Sequence, residues 1–132
     1  MSLGYGGGCR KISEDADFIL YEYFSYNLPF DDHEKIFDGL ILIKKSVLLE
    51  PERREKFQRM PSGRRRKFTK IILREVDIDA LIDSGDVQIE NCSHAWKILP
   101  NGIDYIACCL CRKIFDDYQR EGTLPNKCSC FV

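Results

Sequence analysis

The stretch IDYIACCLCRKIFDDYQR, residues 103–120, decides the fold, because its apolar residues recur with the period of an α-helix. At about 100° per residue, one arc holds Ile103, Ile106, Ala107, Leu110, Ile114 and Tyr118, extended by Cys108, Cys111 and Phe115. The opposite arc holds Tyr105, Cys109, Arg112, Lys113, Asp116, Gln119 and Arg120. Asn101 or Asp104 can cap the first turn, and Gly122 can end the last one. The stretch therefore predicts a long amphipathic helix.

Segments upstream of this helix are rich in β-branched and aromatic residues, which favour strands. They cover residues 15–28, 40–50, 66–76 and 86–92. Residues 15–28 are apolar on both faces, which indicates a central strand. We expect an α+β domain in which a mainly antiparallel sheet of four to five strands is packed by the long C-terminal helix, about 103–120.

Two shorter helices are also predicted between the strands. Residues 51–60 begin with Pro51 and an acidic residue, a typical first helical turn. Residues 77–85 can be capped by Asp77 and ended by Gly85. Only the first of these helices has the length of a crossover, so parallel strands are the less favoured alternative.

The length of 132 residues predicts one domain, which we place at 12–132. Residues 1–11 contain GYGGG and are expected to be a flexible N-terminal segment. No apolar run approaches a membrane span or a signal-peptide core. We therefore expect a soluble cytoplasmic protein that has no membrane partner.

Charge is distributed unevenly along the chain. Residues 53–74 contain ten Lys/Arg and one acidic residue, whereas the rest of the chain holds ten Lys/Arg and twenty Asp/Glu. Within this segment, SGRRRKFTK places clustered cations next to Phe68, the composition of a nucleic-acid contact loop. The candidate binding residues for a partner or for nucleic acid are Arg64, Arg65, Arg66, Lys67 and Lys70.

Seven cysteines at uneven spacings cluster late in the chain and do not suggest an extracellular disulfide framework. A candidate zinc site joins C-x-H with C-x-x-C: Cys92, His94, Cys108 and Cys111. Over about 20 residues this pattern resembles short zinc ribbons, but Arg112 stands where such knuckles usually carry glycine. Since the helical period explains residues 103–120, we favour a protein without a cofactor and keep zinc as the alternative.

Three functions remain open from the sequence. The favoured hypothesis is a small non-enzymatic protein-binding domain of unknown process, inhibitor- or immunity-like by analogy, which uses charge segregation to steer a protein partner. The first alternative is a nucleic-acid-binding domain that uses the basic 53–74 segment. The second is a cysteine-dependent enzyme or redox protein built around Cys108, Cys111 and His94, although catalysis is not the favoured hypothesis.

Overall fold

The computed structural model describes residues 5–27, 36–93 and 95–131. These ranges form seven strands and two helices in an α+β arrangement, which confirms the predicted fold class. The strands are β1 Tyr5–Glu14, β2 Phe18–Asn27, β3 Gly39–Lys44, β4 Glu52–Arg59, β5 Arg65–Ile72, β6 Val87–Glu90 and β7 Lys127–Phe131. The helices are α1 Ile78–Ser84 and α2 Tyr105–Glu121, and a 3₁₀ turn covers Lys45–Val47.

Five strands form the main sheet in the order β6-β3-β2-β1-β7, and every neighbouring pair is antiparallel. Strand β2 lies in the middle, as its two apolar faces predict. The first strand and the last strand of the chain are neighbours in this sheet. Strands β4 and β5 form a separate two-stranded sheet, which we call the basic ribbon.

The hydrophobic core lies between α2 and one face of the main sheet. Ile19, Tyr21 and Tyr23 point to this face from β2 and are 0% exposed. Ile106 and Leu110 meet them from the predicted apolar arc of α2, also at 0%. Full burial of one such side chain contributes roughly 1.5–3 kcal/mol. Burial of this face of the main sheet therefore provides most of the free energy that stabilises the packing of α2 on the sheet.

Capping contacts confirm the predicted ends of α1 and the predicted end of α2 at Gly122, and of the two residues predicted to cap the start of α2, Asn101 and Asp104, the structure uses Asp104. The Asp77 side chain accepts a hydrogen bond from the N–H of Ala80, and Gly85 ends α1 in the left-handed conformation. The Asp104 side chain accepts one from the N–H of Ile106 at 3.1 Å. Gly122 closes α2 at φ 75°. Sequence signals of this kind are local, and for that reason they survive the packing of the domain.

The predicted helix at residues 51–60 is wrong, because residues 52–59 form strand β4. Phe57 is the only apolar side chain in β4, so a helix here would have no apolar stripe to bury. An isolated helix of this length is also marginal in water. The segment instead pairs with β5 across the turn at residues 60–64.

The expectation of a flexible segment at residues 1–11 is not met by residues 5–11, whereas residues 1–4 lie outside the described residues. Residues 5–11 belong to β1 and lie inside the main sheet, between β2 and β7. A Cβ at Gly7 would lie 2.6 Å from Cγ2 of Ile106 and would also meet the carbonyl of Phe24. Glycine is therefore required here by the close approach of the β2 backbone and of α2 rather than by flexibility.

Strand β7 was not predicted, and β3 ends six residues earlier than the strand expected at 40–50. The chain leaves β3 at the 3₁₀ turn, where the N–H of Lys45 donates to the carbonyl of Asp17. No helix within the described ranges is long and apolar enough to span a membrane.

Candidate nucleic-acid interface

The basic ribbon consists of two eight-residue antiparallel strands joined by a tight turn. The N–H of Gly63 donates to the carbonyl of Met60 at 2.9 Å, and the N–H of Met60 donates to the carbonyl of Arg64 at 2.7 Å. Gly63 adopts φ 85°, the left-handed conformation that such turns require. At about 3.3 Å per residue, each strand reaches roughly 25 Å. The ribbon is therefore a long, narrow arm.

The strand register distributes the cations equally over the two faces of the arm. One face holds Arg53, Glu55, Phe57, Arg59, Arg65, Lys67, Thr69 and Ile71. The other face holds Glu52, Arg54, Lys56, Gln58, Arg66, Phe68, Lys70 and Ile72. Each face thus presents four cations and one phenylalanine, and Arg64 adds a ninth cation at the turn.

Nearly the whole arm is exposed to solvent. Residues 53–59 and 61–71 are all exposed, including Phe57 at 64% and Phe68 at 40%. The ribbon therefore gains little stability from burial. Aromatic side chains in this situation are available for contact with another molecule.

Like charges face each other across the ribbon. Arg54 lies opposite Lys70, and Arg59 lies opposite Arg65. Such opposed pairs destabilise a sheet. Glu52 pairs with Arg54 at 2.9 Å and Glu55 pairs with Lys67 at 3.0 Å. The other seven cations of the ribbon form no ion pair with a described residue: Arg53, Lys56, Arg59, Arg64, Arg65, Arg66 and Lys70.

The base of the ribbon is fixed to the body of the domain. Nε of Arg74 donates to the carbonyl of Glu50 at 2.8 Å, which joins the segments that enter and leave the ribbon. The hydroxyl of Tyr118 donates to the carboxylate of Glu50 at 3.1 Å. Gln119 binds the backbone of Arg74. The last turns of α2 thus contact the residues that flank the ribbon, whereas the ribbon itself extends into solvent.

The five binding residues predicted from the sequence all lie on this arm. Arg65 and Lys67 share one face, Arg66 and Lys70 share the other, and Arg64 occupies the turn. The cations of β4 belong to the basic 53–74 segment but are not among the five predicted binding residues, because that strand was predicted to be a helix. The signal that could have found them is the turn sequence PSG between two basic segments, since a hairpin brings both strands to one surface.

The zinc ligands predicted from the sequence do not meet as a group among the described residues. Cys92 lies 3.3 Å from the hydroxyl of Ser25, and its thiol donates to Asp104 at 3.8 Å. Cys111 is 0% exposed within the core. Residues 5–27, 36–93 and 95–131 contain no group of three or more His, Cys, Asp or Glu side chains arranged for a metal. His94 lies outside these ranges, and zinc binding stays a prediction.

The hypothesis of a cysteine-dependent enzyme requires an activated thiol, and neither Cys108 nor Cys111 provides one. Burial raises the pKa of Cys108 to about 11. Burial also raises the pKa of Cys111 above its usual value, and the same holds for Cys92. These thiols are therefore protonated near neutral pH, whereas nucleophilic attack requires the thiolate.

The chain was compared with known protein families, curated proteins and solved structures. No protein-family model, curated protein or solved structure matches the chain. Any assignment of function therefore rests on the residues of this chain.

Proposed function

We propose that this protein binds nucleic acid through the basic ribbon. The observation that carries this proposal is an exposed two-stranded arm with nine cations, seven of which have no ion-pair partner among the described residues. Opposed cations such as Arg59 and Arg65 raise the free energy of the free arm, and a polyanion that lies between them relieves that cost.

The shape of the arm suits the groove of a double helix. The major groove of B-DNA is about 12 Å wide and admits a two-stranded β-ribbon. Because both faces of the ribbon carry four cations, an inserted arm would present charge to the phosphates on both walls of the groove. Phe57 and Phe68, one on each face, would lie next to base edges or sugars.

Charge outside the arm supports the same mode of binding. The chain outside residues 53–74 carries twice as many Asp/Glu as Lys/Arg, so the body repels a polyanion. Contact is therefore confined to the arm. Since nine of its side chains are Lys or Arg, most of the binding free energy comes from counterion release and depends weakly on base sequence.

The experiment is a titration of a short fluorescent DNA duplex at several salt concentrations between about 50 and 200 mM. We expect binding at low salt and a steep linear decrease of log K with log salt. The triple variant Arg65→Gln/Arg66→Gln/Lys70→Gln removes three cations and should lower the slope by roughly 0.9 per lost contact. The matched control, Lys44→Gln/Arg112→Gln/Arg120→Gln, removes three exposed cations outside the arm and should leave the slope unchanged.

Absence of binding at the lowest salt, or equal losses in the two triple variants, would refute this proposal. The protein partner that the sequence favours stays a prediction, because an acidic protein surface would use the same cations. A polyglutamate chain of equal charge distinguishes the two. Tighter binding to polyglutamate than to the duplex would favour the protein partner, whereas a clear preference for the duplex supports nucleic acid.

A further inference from the structure

Strand β7 is one edge of the main sheet, since β1 is its only neighbour among the described strands. The N–H of Lys11 donates to the carbonyl of Asn126 at 2.9 Å, and this pair continues the register of β1 with β7. Hydrogen-bonded and non-hydrogen-bonded pairs alternate in an antiparallel ladder, so Cys128 and Cys130 direct their backbone groups to β1. The backbone N–H and C=O of the other three residues of β7 therefore point away from the sheet: Lys127, Ser129 and Phe131.

The outer edge of β7 is open to contact. The positions of the carbonyls agree with this orientation, because a Cβ on Gly6 would meet the carbonyl of Cys130 on the side of β1. Within the described ranges, none of the three outward-facing residues forms a backbone hydrogen bond on the far side of β7. All three are exposed, Phe131 at 72%. Strand β7 also lacks a proline and a bulge, two features that protect edge strands, so this edge can accept a further strand.

We propose that two copies of this protein pair through β7, antiparallel and across a twofold axis at Ser129. This inference does not rest on nucleic-acid binding, since β7 lies outside the basic ribbon. Ser129 is the middle residue of β7 and points away from β1, so the two Ser129 residues can exchange both hydrogen bonds of a ladder pair. The same axis places Lys127 opposite Phe131 of the second copy. The pairing joins two five-stranded sheets into one continuous sheet.

The side chains of β7 complement each other in this arrangement. Lys127, Ser129 and Phe131 alternate with the buried Cys128, so they lie on the face of the main sheet that is turned away from α2. A lysine on an edge strand usually discourages association. Here each Lys127 ammonium group lies beside an exposed Phe131 ring of the second copy, where the aromatic face attracts it. No two like charges are directly opposite each other, which is the condition for a stable cross-strand pairing.

The opposite edge of the main sheet, strand β6, is less suited to such a contact. The N–H of Lys44 donates to the carbonyl of Asp86, so the backbone groups of Val87 and Ile89 point outward from β6. A twofold pairing in which Val87 meets Ile89 of a second copy would place Asp86 opposite Glu90. Like charges that face each other destabilise a sheet, and charge of this kind protects edge strands from association. The contact is therefore assigned to β7.

The interface is small, because five residues of each copy pair. Interfaces that bury less than about 1,200 Å² belong to weak or transient complexes, so we expect a concentration-dependent equilibrium between monomer and dimer. The test is sedimentation equilibrium of the protein, kept reduced so that no disulfide joins two chains, from about 5 μM to about 1 mM, a range that covers weak affinities. The weight-average mass should rise with concentration from that of the monomer towards twice that value.

Two substitutions at the axis test the role of the backbone. Ser129→Pro removes the central N–H, which points away from β1, so the ladder between β1 and β7 keeps its hydrogen bonds. This variant should stay monomeric over the whole range of concentration. Ser129→Ala keeps the N–H and is the matched control, which should form dimers like the unchanged protein. Circular dichroism of both variants checks that each one is folded.

An exchange of charge tests the register without a change of the backbone. Phe131→Lys places two cations opposite each other at both ends of the pairing and should raise the dissociation constant at least about threefold. The double variant Lys127→Glu/Phe131→Lys turns each of these contacts into an ion pair and should restore the dimer. Since both side chains are exposed, neither change should affect the folding of the monomer.

Four results would each overturn the proposal. They are a monomer at every concentration of the unchanged protein, association beyond a dimer, equal dimerisation of Ser129→Pro and Ser129→Ala, and no recovery in the double variant. Association beyond a dimer would indicate a head-to-tail contact between different surfaces instead of a twofold one. If Ser129→Pro does not fold, the exchange of charge between residues 127 and 131 decides the matter.

Discussion

The side-chain amide of Gln119 forms two hydrogen bonds with the backbone of Arg74. Its oxygen accepts from the N–H of Arg74 at 2.7 Å, and its nitrogen donates to the carbonyl of Arg74 at 2.9 Å. Gln119 is 1% exposed, so these bonds are shielded from water. Because Arg74 follows β5 by two residues, one side chain of α2 substitutes for a neighbouring strand at the root of the ribbon.

Replacing Gln119 by leucine should destabilise the protein by about 1–3 kcal/mol, because the N–H and carbonyl of Arg74 lose their shielded partners while the volume is kept. Urea unfolding measures this change. Gln58→Leu is the control, since Gln58 is exposed on the arm and should shift stability by no more than about 0.5 kcal/mol. Equal shifts in both variants would show that the contact with Arg74 is unimportant.

Reversing one cation of an opposed pair should stabilise the free arm. Arg59→Glu creates a cross-strand ion pair with Arg65, and we expect a gain of about 0.2–1 kcal/mol together with weaker binding to DNA. Lys56→Glu makes the same charge change opposite Phe68. It should weaken binding equally without the gain in stability. A loss of stability in Arg59→Glu larger than in Lys56→Glu would contradict the strand register.

Asp104 should give the protein a measurable dependence on pH. Burial raises its pKa, although the N–H of Ile106 and the Tyr23 hydroxyl, at 3.1 Å and 3.0 Å, favour the carboxylate. A raised pKa in the folded state means that the folded protein binds the proton more tightly. The stability from Asp104 is therefore complete below the unfolded pKa of about 3.9 and is lost as pH rises through the folded pKa.

The variant Asp104→Asn does not titrate and keeps an acceptor for Ile106. Urea unfolding of both proteins between about pH 4 and 8 should show that the free energy of unfolding of the unchanged protein rises relative to that of the variant as pH falls. Carboxylates whose pKa is lowered, such as Glu14, destabilise both proteins in acid and cancel in the difference. A constant difference across this range would indicate that the pKa of Asp104 is the same in the folded and unfolded states.

Adding a methyl group at Gly7 should disturb the contact of α2 with β1. The new Cβ would press on Ile106 and on the backbone carbonyl of Phe24, and backbone cannot turn aside as a side chain can. Overpacking of this kind costs typically about 1–3 kcal/mol. Thermal unfolding of Gly7→Ala measures it, with Ser129→Ala at an exposed position of β7 as the control. An unchanged midpoint for Gly7→Ala would mean that neither the carbonyl of Phe24 nor α2 lies this close to Gly7.

Local signals predicted the parts of the fold that depend on neighbouring residues. The period of residues 103–120 predicted α2, and the caps Asp77 and Asp104 predicted where the two helices begin. Two errors share another cause. Residues 51–60 were taken for a helix and residues 5–11 for part of a loose tail, because the strands that pair with them are distant or weakly marked in the sequence.

The candidate binding site also has a part that the sequence predicted and a part that depended on the pairing of distant residues. The cations Arg64, Arg65 and Arg66 were visible in the sequence, because a cluster of charge needs no partner to be noticed. Their arrangement on an arm needed the pairing of β4 with β5.

The sequence by itself determined the fold class, the position of the packing helix and the segregation of charge, since composition and periodicity are properties of the chain. Only the tertiary structure decided which strands are neighbours and that Gln119 is buried against Arg74. These relationships join residues far apart in sequence, for example Arg10 and Lys127 across β1 and β7. Such pairings are selected by the packing of the whole domain, because no local pattern of residues carries the free energy that decides between them.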